Sequence, residues 1–244
     1  HHEGIIRMAD ADPERIEGLR FQFAQIMAAR NGGLFVDRPA LRQWLDDCVH
    51  HPITYLDFEW DTYAIPPYEG MRPFDVLCFQ FSMDIESGEG AELVHHEFLG
   101  EGDCREAFIL ALLAHVPASG TILVFNMEGA EKLRLRQLAR QFPQHADALA
   151  ALCARMVDLS LPFASGTVHH VRMHGMYSLK VLTEIFAGCS YHELDIENGM
   201  EAVRAHRMLE AGTEDAAQIR AQLSAYCGMD TYAEYLLYHA LRRL

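Results

Sequence analysis

From His51 onward the chain alternates short apolar runs with amphipathic stretches. "ITYLDFEW" (53–60), "FDVLCFQFSMDI" (74–85) and "AELVHHEFLG" (91–100) have the β-branched and aromatic content of strands, with turn residues at their borders. The Pro-rich loop "AIPPYEGMRP" separates the first two. "DCREAFILALLAHV" has apolar spacing near 3.6 and predicts a helix, with Asp103 as candidate N-cap. "GTILVFN" is short and nearly all apolar, the pattern of a strand covered on both faces. "EGAEKLRLRQLARQF" and "ADALAALCARM" are helical, "VDLSLPF" is a further short strand, and "SLKVLTEIF" opens a helix capped by Ser178. "GMEAVRAHRML" and the tail from Glu214 complete the helices. Before residue 50, "PERIEGLRFQFAQIMAAR" and "RPALRQWLDDCV" are helical, with "NGG" as a break. The order is a three-strand meander, then helix, strand, helices, strand, helices. It predicts an α/β fold with a mixed β-sheet flanked by α-helices. Residues 51–244 form its main domain and residues 1–50 a helical N-terminal extension or linker. In such sheets sites gather at strand ends and neighbouring helix ends.

Three places break the apolar pattern with polar chemistry. Asp57 and Glu59 lie two apart on the first strand, so both leave the same face. That fits either a half-solvated antiparallel strand or a pair that binds a divalent cation, which would relieve the repulsion between the two charges. After the buried-looking "TILVF" come Asn126, Glu128 and Glu131. They fit ordinary helix N-terminal chemistry, with Asn126 as a cap and acids complementing the dipole, as well as a functional cluster. Tyr226 and Asp230 lie at i and i+4 of the last helix, with the poor helix former Gly228 between them. A close approach of the backbone to a ligand or another element would explain that glycine.

Charge and cysteine content narrow the classes. The formal charge of −15 argues against coating nucleic acid by bulk electrostatics, yet is compatible with an acidic site neutralised by bound cations. The six cysteines form no CxxC pair, which points to reduced, packing thiols in a cytoplasmic protein. "HHVRMH" (His169, His170, His174) has poor spacing for zinc and reads as a polar loop. There is no signal-peptide core and no apolar run long enough for a transmembrane helix. His1 and His2 look like the remains of a tag on a piece of a longer chain.

Taken together, Asp57-Phe58-Glu59, Asn126 with a following acid, and Tyr226-x-x-x-Asp230 resemble the motifs of the DnaQ-like 3′–5′ exonucleases of the RNase H-like superfamily, DEDDy branch. The departures are a glutamate as second acid, one extra residue between it and Asn126, and Ala130 where an aromatic is usual. Glu131 is preferred to Glu128 on the register of "AEKLRLRQLA". A closer resemblance is to an uncharacterised bacterial domain family often found downstream of RecB-type nuclease modules. It is carried by "LDFEWDTYAIPPYEGMRPFDVLCFQFSM", "HHEFL", "RMVDL", "GMYSLKVL", "YHELDIENGMEA" and "YCGMDTYA". The resemblance implies an RNase H-like fold and a metal-dependent 3′–5′ exonuclease that hydrolyses DNA or RNA with two Mg²⁺ or Mn²⁺ ions. Asp57, Glu59, Glu131 and Asp230 are the implied ligands, with Tyr226 orienting the attacking water. Asn126, Lys180 and Arg172 are candidates for holding substrate, Asp158 for lining the site, Pro66, Pro67 and Tyr68 for shaping its entry, and Phe58 and Trp60 for stacking on bases. The implied partners are a single-stranded DNA or RNA end and a RecB-type module in the full-length chain, with no membrane. The alternative is a catalytically weakened nuclease-like domain that binds nucleic acid or such a module.

Overall fold

The computed structural model describes residues 7–16, 18–191 and 194–244. In chain order the elements are α1 (Arg20–Arg30), β1 (Leu34–Val36), α2 (Arg38–Cys48), β2 (Ile53–Thr62), β3 (Val76–Glu86), β4 (Val94–Leu99), α3 (Arg105–His115) and β5 (Thr121–Val124). They continue as α4 (Glu131–Gln141), α5 (Ala146–Ala154), β6 (Met156–Asp158), α6 (Leu161–Ala164), β7 (Val168–His170), α7 (Leu179–Ala187), α8 (Gly199–Glu210) and α9 (Ala216–Arg242). Among the described residues no helix is long and apolar enough to cross a membrane. All six cysteines are free thiols.

The chain divides into two compact units. The larger comprises His50–Asp158 and Tyr191–Tyr235; the other comprises the residues up to Val49, Leu159–Ser190 and Leu236–Leu244. The larger unit is an α/β structure built on a five-stranded mixed sheet in the order β4-β3-β2-β5-β6. β3 runs antiparallel to both β2 and β4, while β5 and β6 continue parallel to β2. One sheet face is apolar. Leu56 and Phe58 of β2 and Phe81 and Met83 of β3 pack on α3, α4 and α5 through Phe108, Leu112, Leu135 and Leu149. Each such side chain contributes about 1.5–3 kcal/mol relative to exposure.

The opposite face of β2 and β3 carries polar side chains and is covered by α9. Gln80 Nε2 donates to the Leu223 carbonyl at 2.9 Å. Thr231 donates to Asp84 Oδ2 at 2.8 Å and lies 2.9 Å from the Ser82 hydroxyl. The register pairs Glu59 with Gln80 but Trp60 with Cys78, so Phe79 is the extra residue of a β-bulge. Phe79 and Gln80 therefore both lie on the α8–α9 side. There Phe79 stacks on His206 of α8, ring centroids 3.9 Å apart.

In the smaller unit β1 pairs antiparallel with β7. The helical reading of residues 13–48 thus misses the strand Leu34–Val36. His169 and His170 belong to β7 rather than to a polar loop, while His174 caps the following turn in the left-handed region. Phe21 meets the His169 ring edge to face at 5.4 Å.

Three local expectations need correction. "VDLSLPF" is strand only through Asp158, and Leu161–Ala164 is a helical turn entered at Pro162. Asp103 does not cap α3: Cys104 holds that position, and the Asp103 carboxylate is drawn to the Arg105 guanidinium at 2.6 and 2.7 Å. Gly228 is not forced by packing, since a Cβ there would meet its nearest neighbour, His95 Cε1, at an ordinary 3.8 Å. Gly228→Ala is therefore expected to stabilise α9 by up to about 1 kcal/mol through helix propensity. Thermal unfolding checks this, and a lowered midpoint would show a steric demand at that position.

Candidate metal centre

Strand alternation and helix periodicity bring the acidic residues to one place. The register sets Asp57 opposite Ser82 and Glu59 opposite Gln80, on the face that α9 covers. The bonds from Gln80 and Asp84 to α9 fix the rotation of that helix, so that Asp230 faces β2. Ligand oxygens of Asp57, Glu59 and Asp230 all lie within 4.8 Å of one another. Glu59 and Asp230 are buried, while Asp57 keeps some exposed surface.

Neighbouring groups hold this triad in place. The buried Tyr191 hydroxyl donates to Asp230 Oδ1 at 2.8 Å. The Cys227 thiol, buried on α9, donates to Asp57 Oδ2 at 3.5 Å. Gly199, the first residue of α8, lies against Glu59; a Cβ there would be 3.5 Å from Glu59 Oε2. The start of α8 is capped by Asn198, which accepts from the Glu201 N–H at 3.1 Å, and its positive end favours the adjacent carboxylate. Farther along β2, Arg207 grips Asp61 with two bonds of 2.7 and 2.8 Å and so fastens α8 to the same strand.

The second acidic element separates its two candidates. Glu128 is exposed and paired with Lys132 at 2.7 Å and Arg136 at 2.8 Å. Glu131 is 2% exposed at the first position of α4, and its Oε2 is buried without a hydrogen-bond partner among the described residues. It lies outside the tight triad but within its electrostatic reach. Asn126 does not cap α4. It takes the left-handed conformation that Asn tolerates (φ 63°), and its side chain lies over Gly129. Asp158, at the end of β6, shapes this turn by accepting the N–H groups of Asn126 at 3.1 Å and Met127 at 3.0 Å.

The charges are in conflict. Burial raises the Asp57 carboxyl well above the usual range, and Asp230, Glu59 and Glu131 raise it further against the opposing Cys227 bond. Burial likewise raises Glu131, helped by Asp158 and Glu59 and opposed by its own backbone N–H and by Arg134. Burial and the same acids hold the Tyr226 phenol far above its ordinary value, so it keeps its proton. A bound cation would reverse the preference of the carboxyls for the protonated form.

Phe58 and Trp60 are engaged with other side chains. Phe58 is a core residue packed edge to face on Phe108 at 5.1 Å. Trp60 lies under the Arg134 guanidinium, 4.4 Å from ring centre to Cζ, rather than being open for stacking on bases. Arg172 and Lys180 belong to the smaller unit, where Arg172 pairs with Glu184 at 3.1 Å. Two neighbours escaped the sequence reading. Glu234, 1% exposed, feels Asp57, Glu131 and Asp230, and all of them raise its carboxyl together with burial. Its position one helical turn past Asp230 was a usable signal, whereas Tyr191 is marked only as the first residue of "YHELDIENGMEA", with no periodicity or spacing to give it a role.

A carboxyl with a raised folded value binds protons that the unfolded chain has already released. Its contribution to stability is fullest below about pH 4 and is lost as pH rises through the folded value. Asp57→Asn, which keeps an oxygen for Cys227, is therefore expected to melt higher than the parent in EDTA near neutral pH. The gain is about 2–4 °C for each kcal/mol relieved and shrinks toward about pH 5. Differential scanning calorimetry across that range checks it, and a lower midpoint at every pH would contradict the charge conflict.

The family described as "Domain of unknown function (DUF2779)" matches residues 54–178, just over half of the chain; the span includes Asp57, Glu59 and Glu131 and ends before Asp230. No curated protein and no solved structure matches the chain. On the strength of that family match, the chain belongs to the DUF2779 family.

Proposed function

We propose that this site hydrolyses phosphodiester bonds at the 3′ end of DNA or RNA with the help of divalent cations. The supporting observation is the convergence of Asp57, Glu59 and Asp230 from β2 and α9, with their ligand oxygens within 4.8 Å of one another. A solvated surface pair does not need such a setting. The donor set is all oxygen, which suits Mg²⁺ or Mn²⁺. The orphaned, buried Glu131 Oε2 beside the triad is the kind of group that a cation would satisfy. Asp57, Glu59 and Asp230 would hold the metal, and Glu131 is the candidate for a fourth ligand. Such cations supply positive charge that makes a water more acidic and stabilises the departing oxygen.

The remaining roles fall to the chain's own side chains. Tyr226 keeps its proton beside Asp230, Glu59 and Asp57, so its hydroxyl orients the attacking water as a neutral group and does not act as a base. Tyr191 steadies Asp230. The loop after β2 carries Ile65 and Phe74 at 85% and 66% exposure, and the Phe74 N–H is bonded to the Tyr63 carbonyl. The exposed Phe74 ring, unlike the buried Phe58, is open for stacking on a base.

Labelled single-stranded DNA and RNA oligonucleotides incubated with Mn²⁺ are expected to give a ladder of products shortened from the 3′ end. Asp57→Ala or EDTA should suppress it by on the order of 100-fold or more, and Tyr226→Phe should slow it without weakening Mn²⁺ binding. No ladder from either substrate rules out the exonuclease reading. Oligonucleotide binding without cleavage favours the weakened, binding-only domain, a reading supported by Glu131 standing outside the triad.

A further inference from the structure

Pairing between β2 and β5 runs from Ile53 to Tyr55 and stops there. Leu56 is the next residue of β2, wholly buried, and it precedes Asp57. Its N–H donates to Glu234 Oε2 at 3.1 Å, at the edge of that pairing. Glu234 lies one turn past Asp230 and two turns past Tyr226, so all three share a face of α9. A single hydrogen bond thus ties the backbone beside one carboxylate of the triad to the helical turn beside another. Glu234 itself is not among the mutually close ligand oxygens.

Building on the metal-site reading, we propose that Glu234 is a positioning residue: its bond to the Leu56 N–H sets the separation of Asp57 and Asp230 and so the affinity of the site for a divalent cation. Glutamine can accept the same bond, whereas leucine fills the space and accepts nothing. The spacing of the triad therefore survives Glu234→Gln and relaxes in Glu234→Leu.

The test is Mn²⁺ titration by calorimetry, paired with hydrogen exchange at the Leu56 amide, on the parent and both variants. Glu234→Gln is expected to keep Mn²⁺ affinity within about threefold and to leave Leu56 protected. Glu234→Leu is expected to lose about tenfold or more in affinity and to speed exchange at Leu56 by a similar factor. Should Glu234→Leu not fold, Glu234→Asp replaces it: the carboxyl group stays but the reach is one methylene shorter, with the same losses expected. Equal loss in the glutamine and leucine variants would show that the charge acts directly, and unchanged affinity in both would reduce Glu234 to a packing role; either result overturns the proposal. Parent protein that takes up no Mn²⁺ would overturn the metal reading and the positioning role together, whereas parent binding with an unaffected Glu234→Leu overturns the positioning role alone.

Discussion

The larger unit depends on the contact between α9 and the polar face of β2 and β3. A strand face carrying Asp57, Glu59, Gln80, Ser82 and Asp84 would ordinarily be left to water. Here a helix lies on it, and each buried polar group then needs a partner. Gln80, Ser82 and Asp84 find theirs on α9 through Leu223 and Thr231. Those bonds are directional, so they fix how the helix is rotated and translated on the sheet, which an apolar contact would leave looser. The rotation in turn points Asp230 and Glu234 at β2.

The two sheet faces divide the physics between them. On one side Phe58, Phe81 and Phe98 each meet Phe108 edge to face, with centroids 5.1, 5.4 and 5.9 Å apart, and hydrophobic burial dominates. That side anchors β2 as a rigid central strand. On the other side the same strand aims carboxylates at α9, and a bulge opposite Glu59 places Phe79 and Gln80 on one side. Bulges beside sites commonly re-aim side chains in this way. Rigidity from one face gives precision to the other.

Much of this was legible in the sequence, for identifiable reasons. Period-two alternation is enough to put Asp57 and Glu59 on one face, and the i, i+4 spacing is enough to align Tyr226 with Asp230. The long apolar and amphipathic runs gave the strands and helices of the mixed sheet. What stayed hidden depends on contacts distant in the chain. Leu34–Val36 is only three residues long and is a strand because Val168–His170 pairs with it. Tyr191 reaches Asp230 from an irregular segment with no periodicity to read. Asp103 and Asn126 have the composition of caps, but Arg105 takes the first, and the second sits in a turn held by Asp158. The pull of a guanidinium or a distant carboxylate overrode local capping preference in both places. Glu234 is different: its spacing from Asp230 is visible in the sequence, but its bond to the Leu56 N–H is a contact 178 residues distant.

The buried acids also link stability to function. Burial and neighbouring acids raise the carboxyls of Asp57, Glu131 and Glu234, and the partly buried Arg134 opposes this only at Glu131 among the three. Without a cation this arrangement opposes folding. The cost is met by the apolar face and by the hydrogen bonds that hold α9 down. A divalent cation that binds the folded site and not the unfolded chain relieves the repulsion, so its binding free energy appears directly as added stability. On the proposed reading, the same electrostatic conflict that weakens the metal-free fold is what would give the site affinity for a cation. Substitutions that neutralise one acid should trade cation affinity for stability, the exchange expected wherever a site is built from charges that the fold alone would not choose.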